Sequence, residues 1–133
     1  MPWSQLLLLL KQGGPRLLKA LPKLWPLLMD PKTRSAILDA ARDLASQSPT
    51  KRLRGRVNGT VAVAQGIATD ATSDEREREV AETWARRGRN LARKLDMPLE
   101  GRGAKAANRE AVKLELAKLQ GEMEQHLGTP PAG

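Results

Sequence analysis

The sequence predicts an all-α fold: a small antiparallel helical bundle preceded by a proline-broken, basic amphipathic N-terminal helical segment. Three observations carry that expectation. The 133 residues contain no Phe, no Tyr and only three Trp, so a core must be built from Leu, Ala, Val, Ile and Met, side chains that suit close helix packing. Apolar residues recur at helical spacing through three long stretches, 31–47, 74–95 and 104–127. Helix punctuation brackets those stretches, from Asp30-Pro31 at the first to Gly128 after the last. The length allows one small domain, with or without an appendage.

Residues 1–29 form the N-terminal segment. Leu6 to Leu10 is an unbroken apolar run, but five residues fall far short of the roughly 20 that span a bilayer. No Lys or Arg precedes the run, and no small-residue cleavage site follows it, so it does not read as a signal peptide. The expected location is the cytoplasm, with peripheral attachment to the inner face of a membrane as an option. Gly13-Gly14 reads as a hinge. Beyond it, Leu17, Leu18, Leu21, Leu24, Trp25 and Leu28 fall within an arc of about 120°, with Arg16, Lys19 and Lys23 opposite. Pro22 and Pro26 each remove a backbone donor, which predicts a kinked helix or two short pieces.

Residues 30–49 form a connecting helix. Asp30 offers an N-cap acceptor and Pro31 suits the first helical position. Ile37, Ala40, Ala41, Leu44 and Ala45 make its stripe, and Ser46-Gln47-Ser48-Pro49 ends it.

The bundle proper is expected over 50–128, with helices at 51–71, 74–95 and 104–127. The first of these is contested. Val57-Asn58-Gly59-Thr60 fits a type I′ hairpin turn. Leu53, Val57, Thr60, Val61, Ala64, Ala68 and Ala71 also share one helical face, a longer match that favours helix although Gly55, Gly59 and Gly66 weaken it. In the second, Val80, Ala81, Trp84, Gly88, Leu91, Ala92 and Leu95 line one face, which makes Trp84 a core residue. Acids crowd its first turns and Arg or Lys its last, matching the helix dipole. In the third, Val112, Leu116, Leu119 and Met123 form a short coiled-coil-like seam with His126 at its edge. Residues 129–133 read as a disordered tail.

The formal charge of +8 is segregated. Residues 1–29 carry Lys11, Arg16, Lys19 and Lys23 and no acid. Residues 51–69 carry Lys51, Arg52, Arg54 and Arg56, again with no acid. If helices 51–71 and 74–95 run antiparallel, Lys51, Arg52, Arg54, Arg56, Arg86, Arg87, Arg89, Arg93, Lys94, Arg102, Lys105 and Arg109 gather at one end. Asp70, Asp74, Glu75, Glu77 and Glu79 gather at the other, with Glu122 and Glu124.

These features restrict function. Without Cys there is no disulfide, thiol nucleophile or Cys-zinc site. A lone His leaves little for acid–base catalysis and nothing for a multi-His metal centre. No phosphate loop, dinucleotide fingerprint or nucleophile elbow is present. The expectation is a non-catalytic adaptor or scaffold without cofactor or small-molecule substrate. Trp3, Leu17, Leu18, Leu21, Leu24, Trp25 and Leu28, with Arg16, Lys19 and Lys23, are the candidate interface to an anionic membrane or a protein partner. The same Leu stripe also reads as ordinary core. The basic pole is the candidate anion-binding site, with nucleic-acid phosphates as the alternative ligand.

Overall fold

Every stretch with helical periodicity becomes an α-helix in the computed structural model, which describes residues 3–28, 30–70 and 72–128. The helices are α1 (Trp3–Gln12), α2 (Gly14–Leu24), α3 (Pro31–Leu44), α4 (Pro49–Thr69), α5 (Glu75–Leu95) and α6 (Arg102–Leu127), with a 3-10 turn at Trp25–Leu27 after α2. The fold is an all-α helical bundle. The disordered tail expected at 129–133 lies outside the described residues.

The caps do what their side chains allow. The Asp30 carboxylate accepts from the Lys32 backbone N–H and the Thr33 hydroxyl, each at 3.1 Å. Ser48 Oγ accepts from Lys51 N–H, and Asp74 Oδ1 accepts from Glu77 N–H at 2.8 Å. Pro22 and Pro26 leave their mark: Pro22 lies within the last turn of α2, and Pro26 sits in the 3-10 turn that follows. Gly13 separates α1 from α2 with φ 116°, a conformation that side chains with a Cβ resist.

α4 is the axis of the molecule, touching α1, α3, α5 and α6. It runs unbroken through Asn58-Gly59, so the hairpin alternative does not form. Its glycines explain why. A Cβ at Gly55 would lie 2.8 Å from the Ala40 carbonyl oxygen and the Leu44 nitrogen of α3. One at Gly59 would overlap Leu10 of α1, and one at Gly66 would overlap the Trp3 ring. The glycines that lower the propensity of α4 are therefore notches into which two other helices fit. Packing outweighs the roughly 1 kcal/mol that each glycine costs in an isolated helix.

These contacts set directions. α1 and α3 both run antiparallel to α4, as does α5, whose C-terminal Asp96 meets Arg54 at 2.7 Å. α6 runs parallel to α4, with Arg109 beside Thr50 and Gln120 donating to Thr60 Oγ1 at 3.1 Å. One core cluster extends from Trp3 and Leu6 through Ile37, Val57 and Trp84 to Leu119 and Met123. Trp84 is buried as its helical face requires, and His126 stands edge-on to it with ring centroids 5.2 Å apart.

Candidate functional site

The N-terminal segment lies in the core, not on it as an appendage. Leu6, Leu7, Leu10, Leu17 and Leu28 are at most 1% exposed, and Trp3, Leu21 and Leu24 are also buried. α1 was not distinguishable from the sequence, because a run of five leucines has no period. Of the expected interface, Trp3, Leu17, Leu21, Leu24 and Leu28 are thus committed to the interior. The physical reason is packing: notches on α4 receive Trp3 and Leu10 of α1, and α2 lies against α1 and α3.

What remains open is narrower. Leu18 is 37% exposed, Trp25 is half-buried, and Arg16, Lys19 and Lys23 are exposed. Leu18, Leu21, Pro22 and Trp25 of the α2 region, at the spacing of one helical face, join Leu38 of α3 to line an apolar groove of about 440 Å³. Arg34 of α3 stands over the Trp25 ring at 5.7 Å from its centroid and donates to the Leu28 carbonyl. Leu38 and Arg34 were missed as site residues. The available signal was that Leu38 is a large apolar side chain standing off the Ile37–Leu44 stripe. Lys19 and Lys23 do not line the groove; they are exposed further round α2, and the cation at the groove is Arg34, over Trp25.

The basic pole forms in part. Arg54 is brought to Asp96, Asn108 Nδ2 donates to the Lys94 carbonyl at 2.8 Å, and Arg109 reaches Thr50 Oγ1 at 3.4 Å. The start of α4, the end of α5 and the start of α6 therefore meet, carrying Lys51, Arg52, Arg93, Lys94, Arg102 and Lys105. Arg52 donates to the Ser46 and Gln47 carbonyls and so closes the end of α3. Arg86, Arg87 and Arg89 do not belong to this end. They lie six to nine residues before Leu95, roughly 9–13 Å down the helix. Arg87 pairs with Glu122, and Arg89 lines a groove with Asp30 and Glu82. Arg56, exposed on α4, is a similar distance below Pro49.

At the acidic end, the Asp70 carboxylate accepts from the Trp3 indole N–H and from the backbone N–H and hydroxyl of Thr72. Burial acts to raise its pKa, but the hydrogen bonds from Thr72 and Trp3 prevail and hold it below the usual carboxylate value. Glu122 and Glu124 are neutralised by Arg87 and Lys11, the latter at 2.6 Å. Among the described residues no group of three or more His, Cys, Asp or Glu is placed to hold a metal ion. No helix among them is long and apolar enough to cross a membrane.

No protein-family model, curated protein or solved structure matches the chain.

Proposed function

We propose that this chain is a non-catalytic helical adaptor whose α2–α3 groove holds an acidic amphipathic helix of a protein partner. The observation that supports this reading is the groove itself, with an apolar lining of Leu18, Leu21, Pro22, Trp25 and Leu38 and Arg34 over its Trp25 ring; exposed Lys19 and Lys23 stand further round α2. Helix-in-groove recognition needs a concave apolar strip with room for a few anchoring side chains, and flanking charge sets which partner is accepted. The absence of any acid from residues 1–29 favours an acidic partner.

An anionic membrane is the less favoured occupant. Deep insertion of this segment needs Leu17, Leu21, Leu24 and Leu28, all buried in the bundle. Withdrawing each from the core costs about 1.5–3 kcal/mol. A partner helix requires no such withdrawal.

A photo-crosslinking residue at Leu18 tests the reading in native cells, with Leu114, exposed on α6, as the control position. The expected result is one defined acidic protein captured at position 18, with capture abolished by K19E/K23E and absent at position 114. Equal capture at both positions overturns the reading. So does co-sedimentation of the unmodified protein with vesicles containing phosphatidylserine but not with neutral ones, if K19E/K23E removes it.

A further inference from the structure

α6 outruns the bundle. Its 26 residues extend about 39 Å, yet residues 102–107 are all exposed, and the helix first meets the bundle at half-buried Asn108 and Arg109. Burial begins at Val112 and continues through Leu116, Leu119 and Met123. Those four positions form a 4-3-4 seam against the other helices. Continued toward the N-terminus with the same alternation, the seam passes through Arg109, Lys105 and Arg102. The side of the helix that faces the bundle therefore changes from apolar to cationic where the bundle ends. A seam that merely ran into solvent would not need three cations in register with its apolar half; Ala104, Ala106 and Ala107 occupy the neighbouring positions.

The floor beneath this overhang carries the same sign. Arg109 reaches Thr50 at the start of α4, and Asn108 reaches the Lys94 carbonyl at the end of α5, so Lys51 and Lys94 lie beside the cationic seam. Lys51, Lys94, Arg102 and Lys105 make no ion pair among the described residues. The N-termini of α4 and α6 at this end are offset by the C-termini of α3 and α5, so the positive sign comes from the side chains.

We infer that this overhanging seam is a sequence-independent binding ledge for the phosphate backbone of a duplex nucleic acid. A straight row of cations on a projecting helix can meet several phosphates of a regularly charged rod at once, and each contact releases counterions. The arm from Arg102 to Ala111 contains no large apolar side chain, so it has nothing to place in the acyl region of a membrane. It also offers no aromatic for base stacking, which limits recognition to phosphate. The ledge is independent of the α2–α3 groove.

Fluorescence anisotropy with a labelled mixed-sequence 20-base-pair DNA duplex, titrated with salt, tests the inference. The intact protein should bind with a log–log salt slope between about −3 and −4.5, corresponding to three to five phosphate contacts. R102A/K105A/R109A should weaken binding roughly tenfold or more and flatten the slope by about 1 for each cation removed. R16A/K19A/K23A removes the same charge from the other face and should leave the slope nearly unchanged. Circular dichroism melts should show both variants folded, since all six side chains lie outside the buried core. Equal losses from the two triple variants would reduce the effect to bulk attraction by a basic chain and overturn the inference. Absence of duplex binding at 50 mM salt overturns it too, as does seam-dependent binding to anionic vesicles in place of duplex.

Discussion

The indole N–H of Trp3 donates to the Asp70 carboxylate at 3.1 Å, tying the first helix to the turn between α4 and α5 across 67 residues of sequence. The bond has two consequences. It seats Trp3 over the Gly66 notch, and it stabilises the charged form of Asp70. A carboxylate whose folded pKa is lowered contributes stability above its unfolded value, near 3.8, and loses it as pH falls through the folded value. D70N should therefore be less stable than the intact protein at neutral pH, by about 1–2 kcal/mol for lost charge-assisted hydrogen bonds. The gap should close as pH drops below about 4. Urea denaturation at a series of pH values measures it, and a gap that stays constant into strong acid would refute the assignment.

Removal of residues 1–28 should do far more than remove a surface. Trp3, Leu6, Leu7, Leu10, Leu17, Leu21, Leu24 and Leu28 would leave the core, and their counterparts on α3, α4 and α6 would meet water. At about 1.5–3 kcal/mol per large apolar side chain, the loss is comparable to or larger than the roughly 5–15 kcal/mol that stabilises an ordinary domain. The truncated chain should show no cooperative thermal transition by circular dichroism. A sharp transition would mean that α1 and α2 are dispensable to the bundle. Point substitutions on the exposed rim, such as K19E and K23E, are for this reason the sound way to probe the groove.

The glycines divide by environment, and Ala substitution should separate them. At Gly55 the added methyl meets main-chain atoms of α3 at 2.8 Å, so the helix pair must part. G55A should destabilise by about 1–3 kcal/mol in spite of Ala's better helix propensity. Gly121, within α6, has nothing within 4 Å of its added methyl. G121A should stabilise by about 0.5–1 kcal/mol. Thermal melts of the two variants moving in the same direction would contradict the notch reading of α4.

How far the fold was legible follows from what each signal depends on. α3, α5 and α6 carry both periodicity and local caps at Asp30, Asp74 and Gly128, and such signals act within a few residues. The burial of Leu17, Leu21 and Leu24 was ambiguous because an amphipathic face looks the same whether lipid or protein covers it. The covering elements are α1 and α3, whose placement rests on distant contacts such as Leu10 against Gly59 and Trp3 against Gly66, glycines that in isolation argued against helix. The basic pole was legible from antiparallel topology alone. The departure of Arg87 and Arg89 from it follows from their distance before Leu95, which was legible too; the pairing of Arg87 with Glu122 was not, because it depends on how α5 and α6 pack. The exposed arm of α6 is legible only in retrospect, as the point where a regular seam turns from Lys and Arg to Val and Leu.

The buried polar pair between α4 and α6 offers the sharpest test of the core itself. Thr60 is fully buried and Gln120 nearly so; Gln120 Nε2 donates to Thr60 Oγ1, which donates in turn to the Arg56 carbonyl at 2.7 Å. The hydroxyl thus satisfies an amide that would otherwise face an apolar seam between Leu116 and Met123. T60V preserves shape but deprives Gln120 of its acceptor, and an unpaired buried amide costs about 1–3 kcal/mol. Q120L, by contrast, leaves the Thr60 hydroxyl its bond to Arg56 and should cost less. In the double variant T60V/Q120L both polar groups are gone, so the penalty of T60V should largely disappear. A double-mutant cycle by chemical denaturation reads this directly as a coupling energy of about 1 kcal/mol or more. Additive single effects would show that α4 and α6 do not meet at these residues, and with that contact the parallel placement of α6, which carries its cationic seam past the end of the bundle, would fall.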